Sequence, residues 1–395
     1  MQILDARKAM RVPPLFRLGF RPFFLLGSLL ALLAIPLWIT ALLGMQALPQ
    51  PMGGWLAWHR HELVFGFAGA IIVGFLLTAV QTWTGQPSLS GKPLAALVAI
   101  WMLSRLAWWL GSPALLILAN VAFLVAATGV MARLLWAVRQ RRNYPVVAVL
   151  ALFTLADLLA LVGVAQGQDS WQRQGVWASV WLVAAMMGLI GGRVIPFFTQ
   201  RGLGRAAMVQ PWPWLDWALL GLTALLAVLY AAGAGLAPQP WLALPFAALA
   251  LGHGIRLVRW FDAGLLRVPL LWSLHLAYAW IVVACMGMAL WHGGLIAGAS
   301  QALHALTVGA TGGMILAMLA RVSLGHTGRP LELPPGLALA FLLLNLGGLF
   351  RVFAVGFLYV PSLWLSATCW ACAFGLYLYR YAPMLCRTRA DGHPG

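Results

Sequence analysis

Residues 61–87 read HELVFGFAGAIIVGFLLTAVQTWTGQP, and residues 304–330 read HALTVGATGGMILAMLARVSLGHTGRP. Laid side by side without a gap, they pair His61 with His304, Leu63 with Leu306, Gly66 with Gly309, Gly69 with Gly312, Ile72 with Ile315 and Leu76 with Leu319. The match closes on Thr84, Gly85 and Pro87 against Thr327, Gly328 and Pro330. Leucine and glycine matches come cheaply in an apolar chain. A shared histidine at one end and a shared TGxP at the other do not. Each segment holds an apolar run long enough, at roughly 20 residues, to cross a hydrocarbon core of about 30 Å as a helix. The stretch is therefore read as a repeated membrane span with a histidine at the same step in both copies.

The rest of the chain agrees with that reading. Of its 395 residues 63% are hydrophobic and 8% charged, against about 25% charged in soluble domains. Apolar segments at 20–44, 61–83, 93–110, 113–138, 145–165, 174–199, 212–233, 239–260, 267–291, 298–322, 335–359 and 361–381 predict an all-α polytopic integral membrane protein with twelve transmembrane helices. The whole of 1–395 is one transmembrane domain. The first span is too long for a cleaved signal and is read as a retained anchor. The net charge of +17 does not imply nucleic acid, because the basic residues lie between spans. With both termini cytoplasmic, almost all of them fall inside and only Arg60 and Arg173 fall outside, as the positive-inside rule requires. A bacterial inner (cytoplasmic) membrane is the expected location, with membrane lipid as the surrounding partner.

Spans 2 and 10 run from outside to inside, and span 6 shares that direction. Three four-helix units, 1–144, 145–262 and 263–395, follow, with Val176 at the place of the histidine in the middle one. This plan resembles the catalytic subunit of heme-copper oxidases, whose second and tenth helices carry the axial histidines of a heme. The analogy is one of fold alone. Spans 6 and 7 contain no histidine, so a copper centre of the oxidase kind has no counterpart.

Polar side chains at membrane depth are costly, and those present are candidates for function. His304 is expected roughly 9 Å, Arg105 roughly 8 Å, and Asp157 and Arg351 each roughly 12 Å from the outer ends of their spans, with His61 near the outer end of its own. Heme b would need two axial imidazoles, which His61 and His304 offer, and cations for its propionates, which Arg105 and Arg351 offer. The competing reading pairs Arg105 with Asp157 or Glu62 to neutralise buried charge. His59 and His61 diverge on a helix, so they would share a copper ion only if the residues before Glu62 were non-helical. Glu62 would relay protons, support a ligating imidazole, or serve as a carboxylate at a helix N-terminus. His275, deep in span 9, is a further candidate metal ligand and catalytic group. His253 reads as a hydrogen-bonding residue and His292 as an outer-loop residue. GHTGRPL at 325–331 reads as a compact cytoplasmic turn in which His326 and Arg329 hold an anion or headgroup, or as a purely structural turn.

The strings HxHE followed by FGF at 59–67, GFLLTAVQTWTG at 74–85, GGRVIPFFT at 191–199, LHALTVGATGGM at 303–314, RVSLGHTGRPL at 321–331 and DGHPG at 391–395 resemble the NnrS family over nearly the whole chain. That resemblance implies an inner-membrane protein containing heme and copper, linked to denitrification and to tolerance of nitric oxide. The family often has Met after HxHE; Leu63 stands there, so no thioether ligand is present at that position. Nitric oxide is then the expected small-molecule partner, with quinol or a periplasmic protein as electron donor if it is reduced. A twelve-helix secondary transporter and a metal-delivery or assembly protein without turnover are the competing readings.

Overall fold

The computed structural model describes residues 10–45 and 49–393, which contain helices and no strand. In chain order the long helices are α1 (Phe20–Leu42), α2 (Gly54–Thr84), α3 (Lys92–Leu106), α4 (Pro113–Ala137), α5 (Tyr144–Ala165), α6 (Asp169–Gly202), α7 (Pro213–Ala231), α8 (Pro240–Trp260), α9 (Pro269–His292), α10 (Ser300–His326), α11 (Leu337–Ala354) and α12 (Tyr359–Cys386). Ten described helices are long and apolar enough to cross a membrane. The two helices outside that ten are α3, with 15 residues, and α12. The outward faces of α4 and α8, two of the ten, are apolar: Leu118 is 69% exposed, Leu244 76% and Val258 77%. Such faces suit lipid rather than water, and the chain is a multi-pass membrane protein.

Local sequence explains where helices begin and end. Proline occupies the first turn of α3, α4, α5, α7, α8 and α9, where its missing N–H costs nothing. Ser112 caps α4 by accepting the N–H of Leu115 at 3.2 Å. The repeated TGxP explains its own glycine: Gly85 after α2 and Gly328 after α10 both take left-handed backbone, φ +67° and +73°.

The two repeat helices also share an interior irregularity. In α2 the α-helix gives way at Glu62–Ala68 to a π-helical turn, with the Gly69 N–H reaching back to the Val64 carbonyl. In α10 the same happens at Ala305–Gly312. Each repeat histidine is thus the last α-helical residue before a π turn. A third such turn, Phe350–Ala354, ends α11 and contains Arg351. The middle counterpart, α6, is α-helical throughout. Wide turns of this kind are rare and concentrate at functional sites.

Chain contacts divide the molecule into two compact units, one of 1–176, 319–334 and 374–395, the other of 177–318 and 335–373. In the first, Trp55, Trp58, Trp108, Leu116 and Leu161 form a dry core, and α5 meets the start of α6 so closely that a Cβ on Gly175 would strike the Ala156 backbone. In the second, Trp181 lies against Phe246 at 4.8 Å between ring centres, and Tyr230 Oη bonds the His292 ring.

Several expected boundaries move. α2 begins at Gly54 rather than at 61, so His61 lies roughly 10 Å inside the helix, and Glu62 is mid-helix rather than at an N-terminus. Gly54–His61 is helical, which removes the non-helical geometry that would let His59 and His61 share an ion. α3 and α11 end early, placing Arg105 and Arg351 in last turns rather than at depth. His292 is not in a loop; it is the buried final residue of α9, where tertiary packing overrides loop composition.

Candidate functional site

Four ionisable side chains of the first unit meet around His61. Its ring is fully buried, with Nδ1 3.0 Å from Glu62 Oε1 and Nε2 2.7 Å from Asp157 Oδ1 on α5. Glu62, 1% exposed, also accepts the Trp108 indole N–H at 2.8 Å on Oε1, while its Oε2 faces Arg105 Nε at 3.1 Å. Arg105 donates through Nη2 to Ser104 Oγ at 3.0 Å and to Asn120 Oδ1, and Asn120 in turn donates to the Leu116 carbonyl. Arg105 Nη1 and Asp157 Oδ2 are buried with no hydrogen-bond partner.

The π turn shapes this group. Within it the Gly66 carbonyl accepts the Trp101 indole N–H at 3.0 Å, and a Cβ on Gly66 would overlap Arg105 Nη1. Phe65 and Trp108 pack on the His61 ring at 4.8 and 5.1 Å between centres. His59 points elsewhere, stacked on Trp38 at 4.6 Å, and Arg60 pairs with Asp169 at 2.5 Å.

Chemistry follows from donor counting. An ionised carboxylate only accepts, so both His61 nitrogens can be satisfied only if the ring is an imidazolium or one carboxyl keeps its proton. Two anions, Arg105 and one additional proton make the group electrically neutral. A neutral quartet whose His61, Glu62 and Asp157 are buried and whose Arg105 is partly buried can hold and release one proton within the apolar interior.

His304, in the second unit, has different company. It is half-buried, its Nδ1 donates to the Ser300 carbonyl at 2.7 Å, and the residue after it is Ala305 rather than an acid. Arg351 Nη2 lies 3.4 Å from the Ser300 hydroxyl. With Nδ1 protonated, Nε2 carries the lone pair, which is the tautomer a metal ligand needs. The glycines of α10 face filled space: Trp280 lies on Gly309, Trp370 on Gly312 and Ala277 on Gly313. Trp280 itself donates to Asn345 at 2.9 Å.

His275 is buried, with Nδ1 on the Leu271 carbonyl of its own helix at 3.0 Å. His253 is a hydrogen-bonding residue, 2.8 Å from Tyr278 Oη; that hydroxyl also accepts from Arg256, which is paired with Asp216. Among the described residues no group of three or more His, Cys, Asp or Glu could hold a metal ion.

A model of the NnrS protein family matches residues 14–389. The chain belongs to the NnrS family. Membership ties this multi-pass membrane protein to the nitric oxide response. No curated protein matches it. In this NnrS chain the HxHE motif therefore marks the start of a π turn, and its two ends divide the work: His61 and Glu62 enter the buried quartet, and His59 stacks on Trp38. Asp157 was legible as an acid inside an apolar span, but its partner was not. Trp108 and Ser104 gave no sequence signal.

Proposed function

We propose that this chain, with both termini cytoplasmic and twelve spans in the bacterial inner membrane, binds nitric oxide at a heme b held by His304 and reduces it. The observation that carries the reading is the placement of both repeat histidines at the step before a π turn. His304 fits an axial ligand, because the Ser300 carbonyl holds its proton on Nδ1. His61 does not fit as it stands, since both its nitrogens are engaged by carboxylates. Among the described residues no donor set of three or more His, Cys, Asp or Glu fits copper.

When bound, heme b supplies an iron that takes nitric oxide and passes on an electron. Arg351, at the Ser300 hydroxyl, is the cation suited to a propionate. Reduction of two nitric oxide molecules to nitrous oxide and water consumes two protons and two electrons. The quartet of His61, Glu62, Asp157 and Arg105 holds a proton; a quinol or periplasmic donor would bring the electrons.

An absorption spectrum of purified protein tests the ligand. The Soret band should persist in His61→Ala and vanish in His304→Ala. Absence of the band from the unaltered protein sinks the heme reading, and equal loss in both variants restores the paired ligation expected from the repeat. Anaerobic nitric oxide consumption with excess reductant then tests turnover. Uptake that stops at one equivalent per heme means sequestration instead.

A further inference from the structure

Arg21, in the first turn of α1, is fully buried. Its Nη1 donates to the carbonyls of Leu385 at 2.9 Å and Arg387 at 2.7 Å, while Nε and Nη2 are buried without a hydrogen-bond partner. The charged groups acting on this guanidinium are Arg17, Arg389 and Arg329, with the Cys386 thiol as the one acidic group. A cation at a helix N-terminus, with three further cations acting on it, is only partly offset by the two carbonyls at the end of α12, and an anion would complete the balance.

The surrounding chain is folded to keep those arginines together. The C-terminal strand of residues lies over the turn after α10: the Ala390 N–H bonds the Thr327 carbonyl at 2.9 Å, and Arg389 bonds the His326 carbonyl at 3.2 Å. Asp391 packs on left-handed Gly328 and is taken by Arg389 at 2.9 and 2.5 Å. Arg17 donates to the Val12 and Met10 carbonyls at 2.9 and 3.1 Å, and Arg329 to Thr327 at 3.3 Å. Among the described residues Asp391 is the one carboxylate in the cluster, and it pairs with Arg389.

We propose that Arg21, Arg17, Arg329 and Arg389 form a binding site for a phosphate-bearing anion. Guanidinium groups match phosphate oxygens in pairs, and Arg21 has two donors still to satisfy. The chemistry suits either an anionic phospholipid headgroup or a free phosphate. The site shares no residue with the His61 group and does not rest on the nitric oxide reading.

Native mass spectrometry of the delipidated full chain, titrated separately with inorganic phosphate, phosphatidylglycerol and zwitterionic phosphatidylcholine, tests this. One equivalent of phosphate or of phosphatidylglycerol should bind; the first identifies a free anion, the second a headgroup. Arg329→Gln, at a partly exposed position, should weaken that binding about tenfold, the loss of one charge-assisted contact, and Arg21→Gln should abolish it. If Arg21→Gln fails to fold, Arg329→Gln decides. The proposal is overturned if the unaltered chain binds neither anionic probe, or if folded Arg329→Gln binds them as tightly as the unaltered chain does.

Discussion

His61 and His304 occupy the same step of a repeated helix, yet one is enclosed by two carboxylates and the other leans on a backbone carbonyl. The backbone is what the repeat preserves: a histidine, a π turn, then a left-handed glycine after the helix. The neighbours are what differ. Glu62 is replaced by Ala305, and Arg105 fills the space at Gly66 where Trp280 fills it at Gly309. One backbone device thus sets an imidazole between two carboxylates in one copy and against a backbone carbonyl in the other.

The largest test of that contrast removes an anion from the quartet. Glu62→Ala leaves Arg105 without its carboxylate and the His61 proton with Asp157 alone, and should cost about 3–5 kcal/mol, read as a loss of unfolding free energy in detergent. His304→Ala removes the local contacts of Nδ1 with Ser300 and no contact with a carboxylate among those described, and should cost about 1 kcal/mol. Equal costs would break the contrast. The glycine faces come next. Gly309→Ala drives a Cβ into the rigid Trp280 ring and should cost about 1–3 kcal/mol, whereas Gly66→Ala meets the movable end of Arg105 and should cost less. The reverse order, in the same unfolding assay, would show that Arg105 is the more tightly fixed of the two.

The smallest effect is outside the membrane, at the tail. The hydrogen bond from Arg389 holds the Asp391 carboxyl below its ordinary range. A lowered value means the contact stabilises the tail above the ordinary carboxylate pKa of about 3.9 and is lost as pH falls through the lower folded value. The protection of the Ala390 amide, its exchange rate relative to that of an unstructured peptide at the same pH, should therefore fall on strong acidification, and Asp391→Asn should show that low protection already at neutral pH.

Much of this was legible early. The repeat, the membrane class and the isolated polar residues stand out because a charge inside an apolar span is costly enough to be rare. The sequence also flagged Arg105 and Asp157, and named the pairing of Arg105 with Glu62 as one of two readings. Partner choice was not legible: Asp157 reaches His61 from another helix, and Trp108 reaches Glu62 from a short turn after α3. The depth of His61 was misjudged because Gly54–Arg60, with its tryptophans, histidine and arginine, is too polar to register as a span. Packing against the tryptophan core makes it helical all the same.

Sequence alone determined that the chain crosses a membrane many times and carries one histidine twice on equivalent helices, because apolar length and internal likeness are properties of the order of residues. Only tertiary structure decided what each histidine touches. The neighbours come from helices far away in the chain, and the protonation an imidazole takes depends on whether those neighbours are carboxylates or a carbonyl.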